Sequence, residues 1–175
     1  DYDGGIHNPA GIDAIALCRH VEQGKSVNDF PGAEAITTDD FYSLSPDLLV
    51  PAALEQMITE KIAKKINARI LVEAANAPTT PMGERVLQER GIQVLPAVLC
   101  NCGGVTVSYL EWKQNRQAET WQSHRVDEEL RRHIYGAASR VKFYAERFGC
   151  DMRMAAYCAA LNNIDRVYEQ RGIFP

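Results

Sequence analysis

Two asparagines stand where a flat ligand could approach the backbone closely. Asn76 follows the apolar run at residues 70–72 after two alanines, and Asn101 follows the run at residues 94–99 and precedes two glycines. An asparagine side chain donates and accepts hydrogen bonds, and small neighbours let a ring or a ribose come near the backbone. This combination suits the carboxamide of a nicotinamide.

A third apolar run, at residues 48–50, also ends in small residues, namely Pro51, Ala52 and Ala53. In an open parallel sheet the carboxyl ends of the strands line one crevice, so the three segments would form one binding site. Alternatively, the small residues only permit close helix–strand packing and the asparagines cap turns. Three such segments in order favour the binding site.

Gly103 and Gly104 open a helical pattern in which Val105 and Ser108 are three residues apart and therefore share a face. A hydroxyl one turn inside a helix amino terminus can donate to a carboxylate, which the helix dipole also favours. Alternatively, Ser108 donates to the carbonyl four residues earlier. The spacing alone leaves both alternatives open.

The elements that must position these residues alternate between short apolar runs and helical patterns. The predicted strands cover residues 48–50, 70–72 and 94–99, and the predicted helices cover residues 12–21, 37–43, 54–66, 82–89, 105–114, 126–148 and 152–170. Such alternation with short connections is typical of a parallel sheet wrapped by helices. We therefore predict an α/β fold in one domain, with a partial Rossmann-like, doubly wound and mostly parallel sheet in residues 1–104 and a helical segment in residues 105–175.

The composition argues against nucleic-acid binding and membrane association. The chain has 175 residues, of which 46% are hydrophobic and 24% charged, which is enough for one core. Its net charge of -4 gives no general attraction to nucleic acid or to an anionic membrane. No apolar run approaches the roughly 20 residues of a membrane helix. We expect no nucleic-acid or membrane partner.

The five cysteines are an odd number without a CxxC pair, which argues for reduced thiols and a cytoplasmic location. The first residues show no secretory signal. Cys100 and Cys102 form a C-x-C, but there is no second cysteine pair and the four histidines are scattered. We expect no metal site.

Longer motifs resemble a known family. Residues 70–80 read ILVEAANAPTT and residues 98–112 read VLCNCGGVTVSYLEW. They are similar to the stretches EGANGPTTP and NAGGVTVSYFEW of the glutamate dehydrogenases, which belong with the leucine, phenylalanine and valine dehydrogenases. Residues 1–9 and 152–175 resemble the family's SDSKGGIYNP and LRTAAYVNAIEKVF. The resemblance thus covers essentially the whole chain.

Three positions depart from the family's motifs. Ala74 and Ala77 replace the glycines of EGANGP, and Cys102 replaces the alanine of NAGG. The methyl group of Ala77 puts in question whether the backbone angles there match those of the family.

The resemblance implies roles for individual residues. In the family, the serine of GGVTVSY helps to hold the side-chain carboxylate of glutamate and the first valine lines the same pocket, which implies Ser108 and Val105. The asparagines of EGANGP and NAGG lie against the cofactor, which implies Asn76 and Asn101.

The family's ILIPAA implies that Pro51, Ala52 and Ala53 also lie at the cofactor. Asp1 matches the acidic end of the second Rossmann strand, where a carboxylate pairs with the ribose 2′-hydroxyl and disfavours a 2′-phosphate. The expected cofactor is therefore NAD, with NADP as the alternative.

The family's enzymes also contain functional segments that do not occur in this sequence. No GxGxxG loop occurs in the chain, and the family's catalytic lysine and aspartate lie on another domain. We therefore expect a fragment of an oligomeric enzyme, hexameric in the family, that converts L-glutamate to 2-oxoglutarate and ammonia. No catalytic residue is assigned, and the chain alone is expected to be inactive.

Two alternatives remain. One is a fragment of a branched-chain or aromatic amino-acid dehydrogenase, against which Ser108 speaks because an apolar pocket would leave its hydroxyl unpaired. The other is a non-catalytic nucleotide-binding or interaction module.

Overall fold

The computed structural model describes residues 4–172. The first half contains the strands β1 (Gly5–His7), β2 (Glu34–Ile36), β3 (Leu48–Leu49), β4 (Ile70–Val72) and β5 (Gln93–Leu95). Between them lie the helices α1 (Ala14–Glu22), α2 (Thr38–Ser43), α3 (Glu60–Ala63) and α4 (Pro81–Glu89), and a 3₁₀ turn at Val27–Asp29. After β5 the described residues form only helices: α5 (Ala97–Cys100), α6 (Cys102–Gln117), α7 (Ser123–Phe148) and α8 (Met152–Arg171).

The central sheet is parallel and has the order β3-β4-β5. Leu71 of the middle strand pairs with Leu49 on one side and with Val94 on the other, and is fully buried. Apolar strands of this kind are typical of sheets covered by helices. The predicted α/β class is confirmed. The main core contains Tyr42, Ile58, Ala63, Ile66, Ala68, Leu71, Leu87 and Ile92.

The helical part packs around small side chains. Ala155, Ala156 and Ala159 of α8 form a buried cluster with Val141 of α7. Small residues on one helix face allow the two helix axes to approach closely, which explains how these long helices form a second core. The predicted helical carboxyl-terminal segment is present in the described residues.

The predicted strand at residues 94–99 is wrong in its second half. The strand β5 ends at Leu95, and α5 begins at Ala97 after Pro96. Proline lacks an N–H for the sheet and favours the start of a helix, so the apolar run continues as a helical turn. Asn101 therefore follows a short helix rather than a strand.

The predicted helix at residues 54–66 is also mostly wrong, because only α3 is helical there. The N–H of Gln56 donates to the carbonyl of Ala77, and the N–H of Ile58 to that of Pro78. These bonds hold this connection, which turns at residues 55–56, against the loop after β4. The tertiary contact thus overrides the helical pattern.

The antiparallel pair β1–β2 was not predicted. Gly5 pairs with Ile36 and His7 with Glu34. Each strand has three residues, which is too short for a clear alternating pattern.

Candidate functional site

The two asparagines singled out from the sequence meet in the structure. The Nδ2 of Asn101 donates to the Oδ1 of Asn76 at 2.7 Å. Asn101 joins the end of α5 to the start of α6, and Asn76 lies in the loop after β4. Each amide keeps further donor and acceptor capacity for another molecule.

The loop after β4 is held against the end of β3. The N–H groups of Ala74 and Ala75 both donate to the carbonyl of Pro51, at 3.1 and 2.9 Å. This places Pro51 and Asn76 at the same edge of the sheet, as the sequence analysis predicted for the carboxyl ends of parallel strands.

A cavity of about 460 Å³ adjoins this edge. Pro51, Ala52 and Ala53 form one wall, and the residues at the start of β1 and on α2 form much of the remainder. A volume of this size lies within the range of small-molecule and cofactor sites. Asp1, which was predicted to contact the ribose, lies outside the described residues.

The loop after β4 also contains an uncommon backbone conformation. Ala77 has a φ of 42°, in the left-handed region that favours glycine. The methyl group of Ala77 does not prevent this geometry, because the left-handed angle occurs with alanine in place. Its cost is about 1–2 kcal/mol, which the bonds between residues 56–58 and 77–78 must offset.

The predicted substrate residues lie on α6. Val105 and Ser108 are both exposed, and the Oγ of Ser108 donates to the carbonyl of Gly104 at 3.2 Å. Of the two alternatives for Ser108, the structure therefore contains the hydrogen bond to the carbonyl four residues earlier. No described contact joins this pair to the asparagines.

Sequence reasoning missed Glu73, the residue directly after β4. Its carboxylate is completely buried, accepts two hydrogen bonds of 2.9 Å from the Nη2 of Arg153, and accepts a third from the N–H of Ala97 at 2.8 Å. The Nε of Arg153 also donates to Glu84 at 2.6 Å. The signal was a single charged residue among the apolar and small residues of ILVEAANA.

The pairing explains how a charge is tolerated in the interior. Burial alone lowers the pKa of the Arg153 guanidinium, but its hydrogen bonds to Glu84 and Glu73 outweigh this, so the pKa is raised. Arg153 therefore stays charged at every accessible pH. The buried carboxyl group accepts three hydrogen bonds from two donor groups, which satisfies the usual condition for a polar group in the interior.

The cysteines near the asparagines are free thiols. Desolvation raises the pKa of Cys100, and the nearby Glu73 carboxylate and Cys102 raise it further. A thiol with a raised pKa is protonated at neutral pH and is a weak nucleophile and metal ligand. Among residues 4–172, no group of three or more His, Cys, Asp or Glu side chains could hold a metal ion.

None of the helices within the described part of the chain is both long and apolar enough to cross a membrane.

These features define an α/β fold with a cavity at the carboxyl end of β3. A model of the Glutamate/Leucine/Phenylalanine/Valine dehydrogenase family matches residues 1–172. The chain belongs to this family.

Individual relatives agree with that assignment. The chain is 42% identical over 167 residues to the NAD-specific glutamate dehydrogenase of Peptoniphilus asaccharolyticus, covering 95% of this chain and 40% of that protein. It is also 42% identical over 177 residues to the NADP-specific glutamate dehydrogenase A1 of Halobacterium salinarum, covering 100% of this chain and 42% of that protein. The chain thus spans about two fifths of the length of these relatives.

The fold agrees as well. A crystal structure of the hetero-hexameric glutamate dehydrogenase from Thermus thermophilus, in its leucine-bound form, matches with a TM-score of 0.84 and 31% identity. The match covers 98% of this chain and 40% of that one.

Proposed function

We propose that this chain is part of a longer amino-acid dehydrogenase that oxidatively deaminates L-glutamate with NAD. The observation that carries the proposal is the contact between Asn76 and Asn101, in which Asn76 belongs to the loop that Ala74 and Ala75 bond to Pro51. The names of the relatives support a nicotinamide cofactor, since one is NAD-specific and another NADP-specific.

The residues present fit a nicotinamide nucleotide. The paired amides of Asn76 and Asn101 offer the donor and acceptor that a carboxamide needs, and Ala52 and Ala53 leave room at the cavity wall. When bound, this cofactor accepts hydride from the substrate. The asparagines would bind and orient its carboxamide, which fixes the face of the ring that meets the substrate.

Ser108 would orient the substrate. Its hydroxyl now donates to the carbonyl of Gly104, a weak intrahelical bond that can be exchanged for a stronger one to a carboxylate. Val105 lies one turn earlier on the same helix and would provide apolar contact to the methylene groups of glutamate. Proton transfer would fall to residues beyond the printed sequence.

The proposal extends to the domain, the location and the assembly of the complete protein. Residues 1–175 would form one domain, with Asp1 at the cofactor ribose. The complete protein would act in the cytoplasm, consistent with five free cysteines. It would also form a homo-oligomer, consistent with exposed apolar side chains on α8 such as Leu161 and Ile164.

The test is a substrate panel on the complete protein encoded by the gene that contains this sequence. We expect reduction of NAD with L-glutamate at a kcat/KM well above that with leucine, valine or phenylalanine, and above that with NADP. Preferential turnover of an apolar amino acid would replace the substrate assignment. Nucleotide binding without turnover of any amino acid would favour a non-catalytic module.

A further inference from the structure

We propose that Glu73 is a positioning residue that sets the geometry of the Asn76–Asn101 pair. The proposal rests on the proposed function for its kinetic consequence, but not for its structural one. Glu73 touches neither asparagine in a described hydrogen bond; it acts through the two segments that carry them.

The first segment is α5. The Oε2 of Glu73 accepts from the N–H of Ala97 at 2.8 Å, and Ala97 is the first residue of this one-turn helix. The opening N–H groups of a helix have no partner within it, so the carboxylate supplies one. Asn101 follows the other end of α5, and its N–H donates to the carbonyl of Ala97 at 2.9 Å. A displacement of Ala97 should therefore also displace Asn101.

The second segment is the loop after β4. Glu73 lies three residues before Asn76, and its N–H donates to the carbonyl of Leu95 at 3.0 Å. The next two N–H groups are bonded to Pro51. Glu73 is thus fixed through its backbone to β5 and through its side chain to α5. Because Asn76 lies only three residues after Glu73, these bonds also restrict the position of Asn76.

Arg153 holds the carboxylate in place. It lies in the first turn of α8 and donates to both oxygens of Glu73 and to Glu84 of α4. The two glutamates share one guanidinium, but only Glu73 also reaches Ala97. Glu84 therefore provides a matched control: its removal perturbs the same ion-pair network without releasing α5.

The decisive experiment compares crystal structures of the complete protein carrying Glu73→Ala, Glu73→Gln or Glu84→Ala. We expect the contact between Asn101 Nδ2 and Asn76 Oδ1 to be lost in Glu73→Ala and retained in Glu84→Ala. Glutamine keeps one acceptor for Ala97, so Glu73→Gln should keep much of the contact. If Glu73→Ala does not fold, Ala97→Pro serves instead, because proline is tolerated at the first helical position but removes the N–H that donates to Glu73, and the contact should lengthen there as well. An unchanged contact in folded Glu73→Ala, or in Ala97→Pro where that variant serves instead, overturns the proposal.

Kinetics provide the second measurement. With glutamate and NAD, Glu73→Ala should lower kcat by about ten- to a hundredfold, because misplacement of a reacting group by about 1 Å has effects of this size. The KM for glutamate should change much less in Glu73→Ala. Glu73→Gln should recover part of the lost kcat. Glu84→Ala should lower the melting temperature and leave kcat unchanged. Equal melting-temperature losses with equal kcat in all variants would show a purely structural role. If the unmodified protein has no dehydrogenase activity, the proposed function fails while the crystal structures still decide the role of Glu73.

Discussion

Asn101 donates a 2.7 Å hydrogen bond to Asn76 across two segments that are 25 residues apart in the sequence. The bond links the loop after β4 to the junction of α5 with α6. Because both side chains are amides, each can add a bond to a ligand without breaking this one. The pair can therefore act as one preorganised recognition element.

This leads to a double-mutant cycle on the complete protein. Asn76→Ala and Asn101→Ala should each weaken NAD binding, and the double variant should lose less than the sum, with a coupling of about 0.5–1.5 kcal/mol. Isothermal titration of NAD measures each affinity. The exposed Asn115 near the end of α6 is the control, and its change to alanine should have no effect. Strict additivity would argue that the two amides bind independently.

Ser108→Ala should chiefly weaken the use of glutamate. Loss of a hydrogen bond to a carboxylate corresponds to about 1.5–3 kcal/mol, or about ten- to a hundredfold in kcat/KM. Norvaline lacks that carboxylate and should be affected little. Thr106 makes the same kind of bond, to the carbonyl of Cys102 at 2.7 Å, so Thr106→Val is the matched control for loss of the intrahelical contact. Equal losses on both substrates would refute the role of Ser108.

The 175-residue chain by itself should not turn over glutamate with NAD. The printed sequence contains no GxGxxG loop for the pyrophosphate, and the proposed function assigns proton transfer to residues outside it. The measurement is NADH formation by the purified chain, against a mock purification from the same host. Activity above that background would overturn the expectation.

The isolated chain should self-associate through β3. Among residues 4–172 this strand pairs only with β4, and Leu48 is 55% exposed. An open apolar strand edge can pair with another chain, and a lysine there discourages it. Sedimentation velocity should show association that Leu48→Lys reduces. Leu54→Lys places the same charge at an exposed site outside the strands and should change nothing. A compact monomer of the unmodified chain would contradict this prediction.

Alkaline pH should destabilise the fold through Tyr42. Burial raises the pKa of this tyrosine above its ordinary value of 10.0. The neutral form is thus favoured in the folded state, so this contribution to stability is complete below pH 10 and is lost as the pH rises through the folded-state pKa. The stability of the unmodified protein should therefore fall more steeply than that of Tyr42→Phe between pH 9 and pH 11. Thermal unfolding at each pH measures this. Tyr157→Phe, at an exposed position, is the control, and parallel curves for all three proteins would contradict the assignment.

The sequence determined the α/β class and the places of the three parallel strands, except for the second half of the third, because apolar runs are local signals. Only the tertiary structure decided that Asn76 and Asn101 touch, that residues 54–58 are not helical, and that Glu73 is buried against Arg153, 80 residues away. Pattern reasoning assigns each segment from its neighbours in the chain. Hydrogen bonds between distant segments can reverse that assignment, since a buried polar group without a partner costs more than a weak local propensity contributes.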